Sequence, residues 1–177
     1  MSMPSAKSEL RQALKQARLE MLDEEHRLAS QAIVVRLKSA VVDWSKVKSL
    51  HYFEPIASQL EPDINGFITY LEDTYPKLKL CTPRLINGKW EVIGVHGGAA
   101  PPDKFDVVLV PMLGFDPKTL QRIGYGGGYY DKFLATQPRA QKIGVCFELG
   151  KTKNLPTEPY DVPLDLVITE ARMYSNS

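Results

Sequence analysis

Short apolar segments with the character of β-strands alternate with helical segments along this chain. The clearest strand lies within Phe105–Val110, a continuous apolar run typical of a strand buried on both faces of a parallel sheet. Further strands are predicted at Val47–Phe53, Leu78–Thr82, Lys142–Phe147 and Asp165–Glu170. Because helices separate these strands, the sequence predicts an α/β fold with a mostly parallel sheet flanked by helices.

Two helices are predicted before the first strand. Ser5 is a suitable N-cap for the first helix, which extends to about Arg18. Asp23 can cap the second helix. The buried stripe of this second helix is predicted to comprise Leu28, Ala32, Val35 and Ala40. The two helices lead directly into the first strand.

Turn-forming residues divide the rest of the chain. Further helices are predicted from about Asn65 to Glu72 and between Gly127 and Leu134. Pro83 is expected to end the second strand, and Asn87-Gly88 to form the turn of a hairpin. The composition of His96–Lys104 predicts a flexible surface loop.

The composition excludes several classes of protein. Hydrophobic residues make up 44% of the chain and charged residues 24%, which indicates a globular protein and not a disordered one or a coiled coil. Lys and Arg total 22 against 21 Asp and Glu, and the resulting net charge of +1 argues against a dedicated surface for nucleic acid. We therefore expect residues 1–177 to form one domain that binds small molecules and not nucleic acid.

Cysteine content and hydropathy predict a cytoplasmic protein. Cys81 and Cys146 are too few for a disulfide framework and do not form a CxxC pair of the kind that binds zinc. No apolar run approaches the roughly 20 residues that span a bilayer, and the N-terminus lacks the apolar core of a signal peptide. We expect a monomer that does not bind membranes.

The segment from Gly114 to Asp131 is the most informative, because it directly follows the buried strand, where ligands bind in α/β sheets. Arg122 can close over phosphates held by backbone N–H groups at the following helix N-terminus. Four glycines allow these N–H groups to approach a ligand: Gly124, Gly126, Gly127 and Gly128. The alternative is a tight glycine turn with an arginine at its rim, since neither GxGxxG nor GxxxxGKS is present.

Several charged residues are ambiguous when each is taken singly. Asp131 either holds Mg²⁺ together with phosphate oxygens or is an exposed acid, and the neighbouring glycines and arginine favour the metal. Lys7 and Arg11, four positions apart on one helix face, either neutralise phosphates or are solvated. Glu61 is either a ligand anchor or a surface acid. Asp161 is uninformative alone.

The three histidines do not form a catalytic group. His26 lies in a charged helix, His51 in a strand pattern typical of a core position, and His96 in a loop. Neither HExxH nor GxSxG is present, so the sequence gives no support to a zinc hydrolase or a serine hydrolase.

One long segment resembles the signature of the 5-formyltetrahydrofolate cyclo-ligases, also called methenyltetrahydrofolate synthetases: PMLGFDPKTLQRIGYGGGYYDKFL at positions 111–134. Four shorter segments resemble this family in the same order along the chain: SAKSELRQALKQAR, LHYFEPIASQLEPDI, KIGVCF and EPYDVPLDLVITE. The likeness covers most of the chain, and the glycine signature is its most specific part.

The resemblance implies ATP, Mg²⁺ and a reduced folate as ligands. ATP is expected to contact Lys7, Arg11, Arg122, Ile123, Gly124, Tyr125, Gly126, Gly127, Gly128, Tyr129 and Tyr130. The folate is expected to contact Ile56, Glu61, Tyr125 and Tyr129. The implied metal ligands are Asp131 and Asp161, and the implied catalytic residues are Arg122 and Tyr129.

The implied reaction converts 5-formyltetrahydrofolate to 5,10-methenyltetrahydrofolate and releases ADP and phosphate, through phosphoryl activation of the formyl oxygen. Phosphoryl transfer requires charge neutralisation and positioning more than a protein nucleophile, which suits these residues. One departure from the family lies within Trp90–Asp106, which is short and lacks a Gly-Ile-x-Glu-Pro-like stretch that helps to cover the folate. Trp90 can supply an aromatic wall there.

Two other classes of function remain to be weighed. The first is a non-catalytic nucleotide- or folate-binding relative with a changed substrate pocket. The second is an RNA-binding module that uses Lys7, Arg11, Lys15 and Arg18, which the net charge of +1 disfavours. The joint presence of Arg122, Asp131, Glu61 and Asp161 favours the ATP-dependent enzyme.

Overall fold

The computed structural model describes residues 5–39, 42–95 and 100–176. In these ranges the helices are α1 Ala6–Leu19, α2 Asp23–Lys38, α3 Asn65–Thr74 and α4 Tyr129–Ala135. None of the described helices is long and apolar enough to cross a membrane. Ala40 of the predicted stripe and positions 96–99 of the predicted loop lie outside the described residues.

The strands are β1 Ser49–His51, β2 Lys79–Ile86, β3 Lys89–Gly94, β4 Val107–Pro111, β5 Gly114–Phe115, β6 Arg122–Ile123, β7 Gln141–Val145, β8 Leu166–Ile168 and β9 Met173–Ser175. Seven of them form one sheet in the order β3-β2-β1-β4-β7-β8-β9. The five central strands are parallel, and the edge strands β3 and β9 are antiparallel to their neighbours. The predicted α/β fold with a mostly parallel sheet is confirmed.

The sheet is covered on both faces, as the continuous apolar run in β4 predicts. Val107 and Leu109 point into the core on one side, together with buried side chains of α2 and α3. Val108 and Val110 point into the core on the other side, where Leu134 of α4 packs. Because successive side chains of a strand point to opposite faces, both sets must be apolar.

The predicted buried stripe of α2 is wrong. Leu28 and Val35 are exposed, and Ala32 is half-buried. The buried side chains of this helix are Ala29, Ser30, Ile33 and Leu37. The helix carries apolar residues on two stripes, and packing against α3 and the sheet selects the stripe that periodicity alone does not distinguish.

Strand β2 continues through Pro83, which was expected to end it. Its neighbour β1 pairs with β2 only as far as Cys81, so the remainder of β2 has a strand on one side alone, where a proline is tolerated. The turn to β3 is the predicted hairpin. Asn87 and Gly88 both have positive φ, 50° and 76°, as a type I′ turn requires.

Helix α1 packs beyond the carboxyl ends of the strands and not on a face of the sheet. Ser5 caps it as predicted, accepting the Ser8 N–H at 3.2 Å. Leu14 packs in a small separate cluster with Leu113, Ile123 and Leu155. The segment that follows β4 therefore packs against this helix.

His51 lies at the end of β1 and is fully buried, in the core position predicted for it. Its ring packs on Phe133, with centroids 4.3 Å apart, and meets the rings of Phe105 and Tyr130 edge-on. Its Nε2 lies 3.2 Å from the Tyr129 hydroxyl. Because burial disfavours the charged imidazolium, the pKa of His51 falls to about 3.

We expect His51 to make the free energy of unfolding fall as the pH is lowered from about 6.5 to about 5. The unfolded chain binds a proton on this histidine near its ordinary pKa of 6.5, whereas the folded chain does not do so until about pH 3. The unfolded state therefore takes up more protons in this interval, and the free energy of unfolding falls by roughly 1.5 kcal/mol as the pH is lowered. Unfolding by urea is measured at each pH for the wild type and for His51→Phe, which keeps an aromatic ring. The free energy of unfolding should fall less with decreasing pH in the variant. An equal fall in both proteins would contradict the low pKa of His51.

Candidate active site

The carboxyl ends of β1 and β4 open into a cavity of about 560 Å³. The order of the chain through the sheet reverses between these strands, since β2 lies on one side of β1 and β4 on the other. In open parallel sheets such a reversal leaves a crevice in which ligands bind. The cavity is also of the size that holds small-molecule ligands. Its position and volume make it the candidate active site.

The cavity brings together side chains that the sequence singled out in distant segments. These residues are Lys7, Arg11, Ile56, Glu61, Arg122, Gly124, Tyr125, Gly126, Gly127, Gly128, Tyr129, Tyr130, Asp131 and Asp161. Ile123 is the exception, because its side chain is fully buried beside Leu14 and belongs to the core. The predicted contact of Ile123 with ATP is therefore not supported by the position of its side chain.

The glycine loop, which we define as Gly124–Gly128, runs along one wall of the cavity. Gly126 and Gly128 have φ values of 96° and 71°, a region that residues with a side chain rarely adopt. Arg11 fixes the start of the loop, since its Nε donates a hydrogen bond of 3.0 Å to the Gly124 carbonyl. The glycines at 126 and 128 thus give the loop a backbone path that directs it into α4.

Arg122 is almost fully buried at the base of the cavity. Its Nη2 donates a hydrogen bond of 2.6 Å to Oδ1 of Asp131. Burial lowers the pKa of Arg122, and the negative charges of Asp131 and Asp161 oppose that effect. Its Nε is buried and has no hydrogen-bond partner among the described residues. Arg122 is a buried cation that Asp131 compensates only in part.

Lys7 is held at the cavity by the C-terminal segment. Its Nζ donates hydrogen bonds to Oδ2 of Asp161 at 2.7 Å and to Oε2 of Glu158 at 2.9 Å. Desolvation lowers the pKa of Lys7, but the hydrogen bonds and charges of the two carboxylates outweigh it, so the pKa is raised. Sequence reasoning missed Glu158, because its partner Lys7 lies 151 positions away.

The two predicted metal ligands, Asp131 and Asp161, line the same cavity but pair with different cations. In the described part of the chain, no three or more Asp, Glu, His or Cys side chains are grouped so as to hold a metal ion. Mg²⁺ is commonly bound by one or two carboxylates together with phosphate oxygens and water. The residues therefore fit a magnesium ion that arrives with a phosphate ligand, and they do not fit a preformed protein cage.

Glu61 contributes a buried carboxylate to the lining of the cavity. Its Oε2 accepts the Ile56 N–H at 2.7 Å, and its Oε1 accepts the Tyr125 hydroxyl at 2.6 Å. Burial, and then the charge of Glu61, raise the pKa of Tyr125 far above its ordinary value. Tyr125 is therefore a neutral hydrogen-bond donor to Glu61 at physiological pH.

Aromatic rings form the wall near β3. Trp90 lies with its ring centroid 5.5 Å from that of Tyr129, at the position where an aromatic wall is predicted. Tyr129 stacks on Phe133 with the two rings only 6° from parallel. Burial raises the pKa of Tyr129 to about 12, so its hydroxyl stays protonated. The cavity thus combines flat apolar surfaces with a neutral hydroxyl.

Sequence reasoning did not assign Arg18 to this site, although the signal was present. Lys7, Arg11 and Arg18 are spaced by four and seven positions, which places all three on one face of α1. Arg18 is 3% exposed, and its Nη2 lies 2.5 Å from the Tyr125 hydroxyl. A surface role in RNA binding is therefore wrong for this residue.

Comparisons with known proteins agree with the geometry. The model of the 5-formyltetrahydrofolate cyclo-ligase family matches residues 91–170. A 5-formyltetrahydrofolate cyclo-ligase of Mycoplasma genitalium is 27% identical over 164 residues, which are 92% of this chain and 96% of the relative.

Two solved structures share the fold. A 5,10-methenyltetrahydrofolate synthetase from Mycoplasma pneumoniae aligns with a TM-score of 0.79 at 27% identity, over 94% of this chain and 99% of that one. A 5,10-methenyltetrahydrofolate synthetase of Aquifex aeolicus aligns with a TM-score of 0.81 at 25% identity, over 97% and 93%. Sequence and fold thus agree along nearly the whole length, and over that length the chain is similar to enzymes of the 5-formyltetrahydrofolate cyclo-ligase family.

Proposed function

We propose that this chain converts 5-formyltetrahydrofolate to 5,10-methenyltetrahydrofolate, with ATP as the phosphoryl donor and with release of ADP and phosphate. The observation that carries the proposal is the joint lining of one cavity by two kinds of group. Cations and the glycine loop line it together with the Glu61 carboxylate and its aromatic neighbours. This arrangement suits a polyanion and a flat nitrogen heterocycle bound side by side.

The cationic side of the cavity suits the phosphates of ATP. Lys7 and Arg122 are paired with carboxylates of the same chain. Phosphate oxygens bear more charge than a carboxylate and accept the fork of an arginine equally well, so ATP competes for both cations. Arg11, whose Nε is bound to Gly124, keeps terminal N–H groups for phosphate.

The same exchange frees Asp131 and Asp161 for a metal. When their cations turn to phosphate, both carboxylates face an anionic ligand in the cavity, which is the setting in which Mg²⁺ binds. Magnesium supplies charge neutralisation at the phosphates. We assign both aspartates to this site.

The Glu61 carboxylate and the apolar surface near it suit the folate. A carboxylate offers about four acceptor sites, and the Ile56 N–H and the Tyr125 hydroxyl take two of those on Glu61. The remaining two match a pair of adjacent N–H donors on a pterin ring. Trp90 and the exposed side chain of Ile56 provide apolar surface at the rim.

The proposed reaction requires neutralisation of phosphate charge and positioning of the reacting groups. The γ-phosphoryl group passes to the formyl oxygen and ADP leaves; N10 then attacks the formyl carbon, the C–O bond breaks as phosphate departs, and N10 loses its proton. Arg122 stabilises the transferring phosphoryl group. Tyr129, which lines the same cavity and whose hydroxyl lies 3.2 Å from Nε2 of His51, is proposed as the second catalytic residue. No thiol is needed, and burial raises the pKa of Cys146 to about 12.

The experiment that tests the proposal is incubation with 5-formyltetrahydrofolate, ATP and Mg²⁺, with the methenyl product followed by its absorbance. We expect turnover only when nucleotide and divalent cation are both present. Product formed without nucleotide would refute the phosphoryl-transfer route. Binding of both ligands without turnover would instead indicate a non-catalytic relative.

Replacing Glu61 by Gln tests the folate side. Gln presents an N–H in place of one acceptor, so part of the pterin edge loses its partner, and a lost charge-assisted hydrogen bond costs about 1.5–3 kcal/mol. Turnover should fall at least about tenfold while ATP binding persists, as measured by steady-state kinetics and ATP titration. Glu54→Gln is the matched control, because Glu54 also lines the cavity but is exposed and pairs with Arg84. Equal effects of the two variants would show that Glu61 is not the folate contact.

Replacing Asp131 and Asp161 by Asn tests the metal side. Asp131→Asn should raise the Mg²⁺ concentration needed for half-maximal rate by at least about tenfold, and the double variant should lose less than the product of the single losses, because groups in one site are not additive. Glu158→Gln is the control, since it removes a partner of Lys7 without removing a proposed ligand. Fully multiplicative losses would show that the two aspartates act separately.

A further inference from the structure

Arg18 is a buried cation that does not line the cavity. It lies in the last turn of α1, and its Nη1 is 3.4 Å from the Met112 carbonyl. Among the described residues it has no ion-pair partner, and its Nε has no hydrogen-bond acceptor. Burial of a charge is costly unless a counter-charge and hydrogen bonds compensate it. The position of Arg18 therefore calls for a compensating anion.

That anion is Glu61, reached through one hydroxyl. Nη2 of Arg18 donates to the Tyr125 hydroxyl at 2.5 Å, and this hydroxyl donates to Oε1 of Glu61 at 2.6 Å. The guanidinium carbon also lies 5.5 Å from the centre of the Tyr125 ring. The hydroxyl has a single orientation that satisfies both neighbours, so the three groups form one polarised chain of hydrogen bonds.

The chain of hydrogen bonds crosses the site. Arg18 belongs to α1, Tyr125 to the glycine loop, and Glu61 to the segment after β1. With Tyr125 fixed, the loop is held at a second point beside the Arg11 contact to Gly124. With Oε1 and Oε2 of Glu61 each bound, the carboxylate is locked in one orientation.

We propose that Arg18 is a positioning residue for substrate binding: it compensates the charge of Glu61 through Tyr125 and holds the carboxylate oriented towards the pterin N–H groups. The inference rests on the proposed function, since it takes Glu61 as the folate contact. It adds a residue that touches neither ligand and acts through the two that do. Loss of Arg18 leaves Glu61 as an uncompensated buried charge and leaves the Tyr125 hydroxyl with one of its two partners.

The test compares a variant at one end of this series of hydrogen bonds with a variant at its middle. Arg18→Met removes the charge and keeps the apolar stem, and Tyr125→Phe removes the hydroxyl and keeps both charges. Each should raise KM for 5-formyltetrahydrofolate at least about tenfold, with a clearly smaller change in KM for ATP. Lys15→Met, which removes a cation from the same helix, is the control and should leave both constants within about twofold. Unchanged KM for the folate in Arg18→Met would overturn the inference.

A second readout is independent of turnover. The free energy of unfolding is measured for Arg18→Met, for Glu61→Gln and for the double variant. If the two charges compensate each other, the double variant loses less stability than the sum of the single losses, because each single variant strands the opposite charge. Additive losses would show a merely structural arginine and overturn the inference. If Arg18→Met does not fold, Arg18→Gln, which removes the charge and keeps a hydrogen-bond donor, takes its place.

The two readouts separate this inference from the proposed function. A wild-type chain that does not turn over 5-formyltetrahydrofolate refutes the function, and the unfolding cycle alone then decides whether Arg18 holds Glu61. An active wild-type chain with additive losses refutes the role of Arg18 and leaves the function intact.

Discussion

The attachment of α1 to the loop after β4 determines the geometry of the site. One stripe of this helix, at positions 7, 11, 14 and 18, makes four different contacts with the rest of the chain. Lys7 pairs with Asp161, Arg11 holds the Gly124 carbonyl, Leu14 packs on Ile123, and Arg18 binds Tyr125. The carboxyl edge of a parallel sheet supplies loops but no rigid wall, and α1 supplies that wall. The cations Lys7, Arg11 and Arg122 and the Glu61 carboxylate can then line one cavity.

Two cations that line this cavity are paired with carboxylates that also line it. Lys7 and Arg122 each hold a carboxylate at less than 3 Å, and both carboxylates belong to residues that we assign to magnesium. A buried cation that lost its partner would be strongly disfavoured, so these pairs keep the ligand-free site stable. On the function proposed above, MgATP would replace each pair by two new ones, cation with phosphate and carboxylate with metal, and would leave no charge stranded. Such an exchange of partners would explain why the cations and the carboxylates of this site lie so close together.

The fold was largely predictable from sequence, because its signals are local. A continuous apolar run identified β4, Ser5 identified the start of α1, and Asn87-Gly88 identified the hairpin. The errors lie where tertiary contacts decide. The α2 helix has two apolar stripes and only its packing partners select one, while Pro83 stays in β2 because the neighbouring strand ends first. In the site, residues within the glycine signature were predictable, but Glu158 and Arg18 owe their roles to partners more than 100 positions away.

An oxygen label follows directly the proposed transfer of the formyl oxygen to phosphate. The substrate is 5-formyltetrahydrofolate with ¹⁸O in the formyl group, turned over with ATP and Mg²⁺, and the released phosphate is examined by mass spectrometry. If the cavity activates the formyl group by phosphorylation, each phosphate released with a methenyl product carries one ¹⁸O atom, and the ADP carries none. Unlabelled phosphate, with the label recovered in water, would contradict the account.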